Sequence, residues 1–197
     1  MGEIKTALEL ALERTEGIAG DKKTLEAHEN KTIGKRLVSQ ISSDPDFDLK
    51  KELKNYSADQ ILGIRDGMYS VLITFVALPG SEDDLSRFAV VKKGIRQIVR
   101  DPKAAINVLE QTEELMRRYL ESKTQLVEAL RKQFEPRLRK REEELARQYG
   151  HAVKIDPASD PEFNKVLQSH LGNLQNQYED VLDQVRAELT RLFEDWR

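Results

Sequence analysis

The stretch that decides the fold runs from Asp160 to Arg197 and reads DPEFNKVLQSHLGNLQNQYEDVLDQVRAELTRLFEDWR. Asp160-Pro161 signals a helix start, because aspartate can cap free backbone amides and proline suits the first helical position. Apolar side chains then recur at steps of three and four residues, the spacing of one helix face. They are Phe163, Leu167, Leu171, Leu174, Tyr178, Val181, Val185, Leu189, Leu192 and Trp196. The pattern predicts one long amphipathic helix.

A second long helix is predicted immediately before this stretch. Asp101-Pro102 repeats the start signal, and Gly150 is a suitable stop. The stripe between them again follows three- and four-residue steps, with two polar members. Its members are Leu109, Thr112, Met116, Tyr119, Lys123, Leu126, Leu130, Phe134, Leu138 and Leu145. Pro136 falls inside this pattern and should kink the helix, because proline removes a backbone hydrogen bond.

The connection between the two stripes is short, so we expect the helices to pack antiparallel with a turn near residues 150–159. Opposite charges suggest the register. Folding the chain about residue 155 places Arg131–Lys132 opposite Glu179–Asp180 and Trp196 near Met116. Periodicity alone does not distinguish pairing within one chain from pairing between two copies, so a homodimer remains an alternative.

Residues 1–100 contain shorter helical patterns. Helices are predicted over Glu3–Glu16 and from about Thr24 to Ser42. The run Gly17-Ile18-Ala19-Gly20 should separate them, because glycine disfavours helix interiors. A further helix is predicted after Ser81–Asp84.

The most apolar part of the chain follows Ser57. Ser57 and Gln60 have the spacing of a capping box, and the uninterrupted apolar run is too short to span a bilayer. Tyr69–Val76 also has the composition of a strand, so helix and strand both stay open there. The overall prediction is an all-α fold with a small helical head, residues 1–100, followed by a long, coiled-coil-like antiparallel helical hairpin, residues 101–197.

Composition narrows the class of protein. The chain has 197 residues, of which 34% are charged and 6% aromatic, a balance typical of long, surface-rich helices. A net charge of −3 makes neither a polyanion nor a polycation an obvious partner. Cysteine is absent and the first residues are charged rather than apolar, which favours a cytoplasmic protein.

No residue pattern predicts catalysis. His28, His151 and His170 stand alone, without the Glu-x-x-His pair of a di-iron site. The glycines form no phosphate-binding loop, and the carboxylates alternate with lysine and arginine as on solvated helix faces. We therefore expect a protein that is not an enzyme, with no catalytic residue, cofactor or metal site.

Two kinds of contact surface are predicted. Val153 and Ile155 at the turn, with the basic residues Arg137, Lys140 and Arg141, are candidates for contacting a protein partner. The alternative for the two apolar residues is that they fold back onto Tyr149 and Phe163. The candidates for contacting a polyanion are Lys92, Lys93, Arg96 and Arg100, together with the basic run Arg131–Arg141.

These surfaces lead to two functional hypotheses. The first is a non-enzymatic structural or adaptor protein that uses the long hairpin for contact with a protein whose identity the sequence does not reveal. The alternative is a nucleic-acid- or ribosome-associated factor that uses the basic helix faces. The alternative is weaker, because aromatic residues for base stacking are nearly absent from the basic clusters and no known nucleic-acid motif occurs.

The sequence also resembles a known family. The motifs that carry the resemblance are Met1-Gly2-Glu3-Ile4-Lys5, Leu8-Glu9, Glu13-Arg14-Thr15, Phe134-Glu135-Pro136-Arg137-Leu138, Asp156-Pro157 and Asp160-Pro161-Glu162-Phe163. They are similar to those of an uncharacterised bacterial family of largely helical cytoplasmic proteins. The resemblance implies no activity and no site residues.

Overall fold

A computed structural model describes residues 7–44 and 46–195, with side chains from Lys23 onward. Its α-helices are α1 (Ala7–Ser43), α2 (Leu49–Leu53), α3 (Ala58–Leu72), α4 (Arg87–Ile98), α5 (Pro102–Tyr149) and α6 (Pro161–Glu194). Short 3-10 helices cover Ile73–Phe75, Glu82–Ser86 and Pro157–Ser159. The described residues contain no strand, so the all-α prediction is confirmed. The strand alternative for Tyr69–Val76 is wrong, because α3 and a 3-10 turn occupy that run.

The predicted helix starts are present. The Ser57 hydroxyl accepts a hydrogen bond from the Gln60 amide at 3.4 Å, and the Gln60 side chain accepts one from the Ser57 amide at 3.0 Å. One carboxylate oxygen of Asp101 accepts from the two amides that open α5, both at 3.0 Å. Gly150 ends α5 with a φ of +75°, a conformation that favours glycine.

One predicted boundary is wrong. The run Gly17-Ile18-Ala19-Gly20 was expected to separate two helices, but α1 is continuous from Ala7 to Ser43. Glycine weakens a helix by about 1 kcal/mol relative to alanine, yet it keeps its backbone N–H donor. A long helix can therefore pass through two glycines that lie a turn apart.

The described residues form two compact units. The first draws on Met1–Phe75, Ala89–Ile106 and Leu192–Arg197, and the second on Val76–Phe88 and Asn107–Arg191. Both units are discontinuous in sequence. The division into a head and a hairpin at residue 100 stays a prediction.

In the first unit, glycines bring α1 and α3 into backbone contact. A Cβ atom on Gly34 would lie 2.0 Å from the carbonyl oxygen of Ile64, and one on Gly67 would lie 2.1 Å from that of Lys31. No side chain fits at these distances. The two helices therefore meet through their backbones, as helices with small residues at the contact can.

A buried arginine ties three parts of the first unit together. Arg65 is 4% exposed, and its Nε donates to the carbonyl oxygen of Ile98 at 3.1 Å. Ile98 is the last residue of α4, so the cation satisfies a helix C-terminus. The guanidinium also lies 5.6 Å from the centroid of Phe193, whose ring stacks on Tyr69 at 4.2 Å.

In the second unit, α5 and α6 lie side by side and run in opposite directions. The rings of Tyr119 and Tyr178 meet edge-on at 5.2 Å, and those of Phe134 and Phe163 at 5.4 Å. Residues later in α5 therefore lie beside residues earlier in α6, so the two helices are antiparallel. The Tyr178 hydroxyl also shares a hydrogen bond of 3.3 Å with Ser122.

These contacts show that the register predicted from charge is wrong. Glu179–Asp180 lies level with Tyr119, not with Arg131–Lys132, which is level with the residues just after Phe163. The physical reason is the connection between the helices, residues 150–160, which we call the return segment. It runs back along α5, so α6 begins far from the end of α5. The expected neighbour Trp196 lies outside the described residues.

A second chain segment, residues 76–82, is fixed to both long helices. Nε of Arg186 on α6 donates to the carbonyl oxygen of Val76 at 2.9 Å. Nζ of Lys123 on α5 donates to that of Gly80 at 3.1 Å, and Arg117 lies 3.7 Å from Glu82. The segment therefore lies on one face of the α5–α6 pair.

Candidate protein-interaction surface

The end of the α5–α6 pair next to the return segment has a small apolar core of its own. Its buried members are Leu130, Phe134, Leu138 and Phe163, and the half-buried side chains packed against them are Leu126, Ile155, Val166 and Leu167. We call this set the turn cluster. The rings of Phe134 and Phe163 are nearly perpendicular, at 84°, the edge-to-face geometry that aromatic pairs favour.

The return segment is held against α5 at two points. The backbone N–H of Ile155 donates to the Glu142 side chain at 2.7 Å, and the Ile155 side chain packs on the turn cluster. Further along, Asp156 accepts a hydrogen bond from the Ala158 amide at 2.9 Å and starts a 3-10 turn. The return segment is thus fixed by backbone and side-chain contacts.

Asp160 joins the return segment to α6 and is 2% exposed. Its Oδ1 accepts hydrogen bonds from the amides of Glu162 at 2.8 Å and Phe163 at 3.1 Å, so it caps the first turn of α6. Its Oδ2 is buried without a hydrogen bond, 3.7 Å from Arg141 and 4.0 Å from Arg137.

The surroundings of Asp160 favour its charged form. The hydrogen bond from the Phe163 amide lowers the pKa of Asp160 most, and the Glu162 amide and the two guanidinium groups lower it further. Burial acts in the opposite direction but is outweighed. Arg137 also hydrogen-bonds the Glu162 carboxylate, which raises the pKa of Arg137. The start of α6 is therefore clamped electrostatically onto α5.

The structure places the predicted protein-contact residues in two groups. Val153 and Ile155 are both half-buried, and Ile155 packs on the cluster that contains Phe163, as the fold-back alternative expected. Arg137, Lys140 and Arg141 are exposed on α5.

The basic residues of this group differ in their surroundings. Arg137 and Arg141 approach Asp160, which partly neutralises them. No described carboxylate lies within ion-pair distance of Lys140. Lys140 and Val153 are thus the members of the predicted set that internal contacts use least.

The predicted polyanion contacts lie on and just after α4. Lys92 and Lys93 are half-buried and engaged with other groups, while Arg96 is exposed on α4 and Arg100 is exposed just after its end. In the other basic run, Arg131 and Lys132 have no described carboxylate within ion-pair distance. Arg96, Arg100, Arg131 and Lys132 are therefore surface groups, and their contact with a polyanion stays a prediction.

Two features escaped sequence reasoning. Asp160 was interpreted as a helix start, but its burial between two arginines was not foreseen. The available signal was the pair Arg137 and Arg141, one turn apart on the stripe side of α5. The second feature is a groove of about 300 Å³ between α5 and the return segment, which includes Leu138 and Ile155 in its lining.

The described part of the chain holds neither a metal-binding cluster nor a membrane span. Among those residues, no group of three or more histidine, cysteine, aspartate or glutamate side chains is placed to hold a metal ion. No helix in the same residues is long and apolar enough to cross a membrane.

Comparison with known proteins gives one match. A family model described as "Family of unknown function (DUF6657)" matches residues 50–191, which include α3 to α5 and most of α6. The chain belongs to this family. The predicted membership in a family without an assigned activity is thereby confirmed. No curated protein and no solved structure matches the chain. The bacterial origin stays a prediction.

Proposed function

We propose that this DUF6657 protein is a non-enzymatic structural or adaptor protein of the bacterial cytoplasm. In this proposal it contacts a protein partner at the end of the α5–α6 pair. The observation that supports the proposal most is that the turn cluster and buried Asp160 pack the return segment against α5. A surface ordered before binding loses less conformational entropy when a partner arrives.

The contact surface combines an apolar and a basic part. Val153 supplies half-buried apolar area on the return segment, and Lys140 supplies a cation without a described ion-pair partner. The groove lined by Leu138 and Ile155 offers room of about 300 Å³, which suits one or two partner side chains. Lys140 is two residues from Leu138 and therefore lies on another side of α5 from the groove. In this proposal the partner places an apolar side chain in the groove and, separately, a carboxylate beside Lys140.

The experiment is an affinity pull-down of the tagged full chain from a lysate of its own host, with nuclease and at two salt concentrations. Proteins that survive both treatments are then tested with purified Val153→Ser and Lys140→Glu variants. Both variants should lose the partner while retaining helicity. A matched control, Gln177→Ser at an exposed position of α6, should bind normally. Equal binding by all variants would exclude this surface.

A nucleic-acid- or ribosome-associated factor is the second candidate. It is favoured by the exposed cations Arg96 and Arg100 and by Arg131 and Lys132, which no described carboxylate neutralises. Phosphate contacts release counterions, so binding must fall steeply with salt. A filter-binding titration with total host RNA at several salt concentrations, using the wild type and an Arg96→Glu/Arg100→Glu variant, tests it.

A further inference from the structure

Two grooves follow one another along α5. The first, of about 590 Å³, lies between α5 and residues 80–82, and its lining includes Leu120 and Val127. The second is the groove of about 300 Å³ between α5 and the return segment. Arg131 lines both, so the two grooves meet beside this side chain. We call them together the α5 groove.

The α5 groove runs along one flank of the helix. Lining residues of α5 recur at steps of three and four, the spacing of a single helix face. They are Leu120, Thr124, Val127, Arg131, Glu135, Leu138 and Glu142. The helical rise places Leu120 and Leu138 ~27 Å apart along the axis, or about five turns. The volume of the first groove is the space that stays free beside residues 80–82, so this segment bounds the α5 groove without filling it.

The α5 groove is apolar at both ends and charged between them. Half-buried Val127 lies in the lining of the first end. Half-buried Ile155 lies at the second end with Leu138. Arg131 is exposed between the two ends, seven residues from Thr124 and seven from Leu138. The guanidinium is therefore carried about two turns, or ~10 Å, from the level of either apolar end.

Four charged side chains of the α5 groove are exposed. Glu121 and Glu128 line its first part, and Lys132 joins Arg131 in the second part. No described group of opposite charge lies within ion-pair distance of any of the four. The groove therefore presents carboxylates toward residues 80–82 and cations toward the return segment. A complementary ligand carries charges of both signs.

This charge pattern favours a protein ligand over a chain of phosphates. A phosphate backbone is uniformly negative, so Glu121 and Glu128 would repel it next to the cations that attract it. Phosphates would also leave both apolar ends of the groove without an apolar contact.

A helix is the protein element that suits this flank. Side chains at steps of three and four residues on α5 form the ridges and grooves against which another helix packs. An amphipathic helix presents its apolar anchors along one face, which is how such helices are recognised in grooves of other proteins. The length of about five turns between Leu120 and Leu138 is that of an ordinary helix.

We propose that the α5 groove binds an amphipathic helix of a protein partner. The helix places one apolar side chain at each end of the groove, about 14 residues apart. A carboxylate midway between them contacts Arg131 and Lys132, and a cation near the first apolar side chain contacts Glu121 and Glu128. The inference rests on the proposed adaptor role and defines the partner segment that this role requires.

The first test identifies what lies in the groove. Because the chain has no cysteine, a single introduced cysteine can carry a photoreactive benzophenone. Gln125→Cys places this group in the lining of the first groove. Gln133→Cys is the matched control. Gln133 is exposed, lines neither groove and lies about two and a half turns from Thr124, on the opposite side of α5. Circular dichroism checks that both labelled variants fold.

Both labelled chains are irradiated in nuclease-treated host lysate, and the cross-linked peptides are sequenced by mass spectrometry. Gln125→Cys should capture an amphipathic segment with two apolar residues about 14 apart and a carboxylate midway between them. Gln133→Cys should capture it much less. No cross-linked protein, equal capture by the two variants, or a segment without this pattern would overturn the proposal.

The second test measures the affinity of the full chain for a labelled synthetic peptide of the captured segment by fluorescence anisotropy. Arg131→Glu/Lys132→Glu should raise the Kd about tenfold or more, because it places like charges beside the peptide carboxylate. Replacing that carboxylate with lysine should restore binding to this variant. Val127→Ser should also weaken binding, because it removes apolar contact area. An effect of the charge reversal without an effect of Val127→Ser would indicate binding through charge alone, as for a polyanion, and would overturn the proposal.

The inference and the proposed function fail separately. If Val153→Ser loses the partner while Gln125→Cys cross-links no more than Gln133→Cys, the contact at the turn stands and the helix in the α5 groove is excluded. If the expected segment is captured equally well by chains that carry Val153→Ser or Lys140→Glu, the inference stands and the surface at the turn is excluded.

Discussion

Alanine at Gly34 should force α1 and α3 apart. Its Cβ would start 2.0 Å from the carbonyl oxygen of Ile64, and side-chain carbons essentially never come closer than 3.0 Å to such an atom. One helix backbone must therefore move by about 1 Å or more. Both atoms at the collision are attached to helix backbones, so no flexible side chain can absorb the shift.

The change in unfolding free energy on Gly34→Ala is the sum of two opposing contributions. Overpacking a close contact costs about 1–3 kcal/mol, and a backbone collision belongs at the upper end. Alanine regains about 1 kcal/mol of helix propensity over glycine. The net loss for Gly34→Ala should be about 2 kcal/mol. In a chain of this size that corresponds to a fall in Tm of about 4–8 °C.

Thermal and urea unfolding followed by circular dichroism measure this loss. The matched control is Gly172→Ala, whose Cβ meets nothing within 4 Å and which should gain about 1 kcal/mol of unfolding free energy. Gly67→Ala should resemble Gly34→Ala, since its Cβ would start 2.1 Å from a Lys31 carbonyl oxygen. If Gly34→Ala is stabilised as much as Gly172→Ala, the helices do not meet as described.

Three further substitutions test other contacts. Asp160→Asn should weaken urea stability at neutral pH. The pKa of Asp160 is lower in the folded chain than its value of about 3.9 in the unfolded chain, so the charged carboxylate stabilises the fold. This stabilisation is complete above the unfolded pKa and is lost as the pH falls through the folded pKa. The difference in stability between Asp160→Asn and the wild type should therefore shrink below about pH 4. A pH-independent difference would contradict this reasoning. Phe163→Ala should cost about 3–5 kcal/mol of unfolding free energy by emptying the turn cluster; a loss under about 1 kcal/mol would mean that the cluster is not packed. Arg65→Met should cost about 1.5–3 kcal/mol, because the Ile98 carbonyl loses a charged donor; unchanged urea stability would show that this carbonyl has another partner.

The sequence predicted well which segments are helical and where the helices start, because both depend on local chemistry. Asp101-Pro102, Asp160-Pro161 and the Ser57–Gln60 capping box all open helices where expected. The helical structure of α6 could be predicted without tertiary information, because its apolar residues recur with the period of one helix face. The prediction of a family without an assigned activity was also confirmed, by a match over residues 50–191.

Register and burial depend on distant parts of the chain, and these were not predictable. The charge argument placed Arg131 opposite Glu179 because it treated the return segment as a symmetric turn. In the structure that segment runs back along α5 and shifts α6 by several turns. Gly34 and Gly67 show the same limit. In sequence they count against a helix, whereas in the structure they are where two helices touch.

The contacts of α6 also have a consequence for the order of events during synthesis. Arg186 holds Val76 in the second unit, and Phe193 stacks on Tyr69 in the first. α6 leaves the ribosome after the residues it contacts in either unit. Neither unit can therefore complete its core while α6 is still being made, although chains commonly fold one domain at a time from the N-terminus. Until then the emerging chain exposes the side chains that α6 covers, such as Tyr69 in the first unit and Tyr119 in the second.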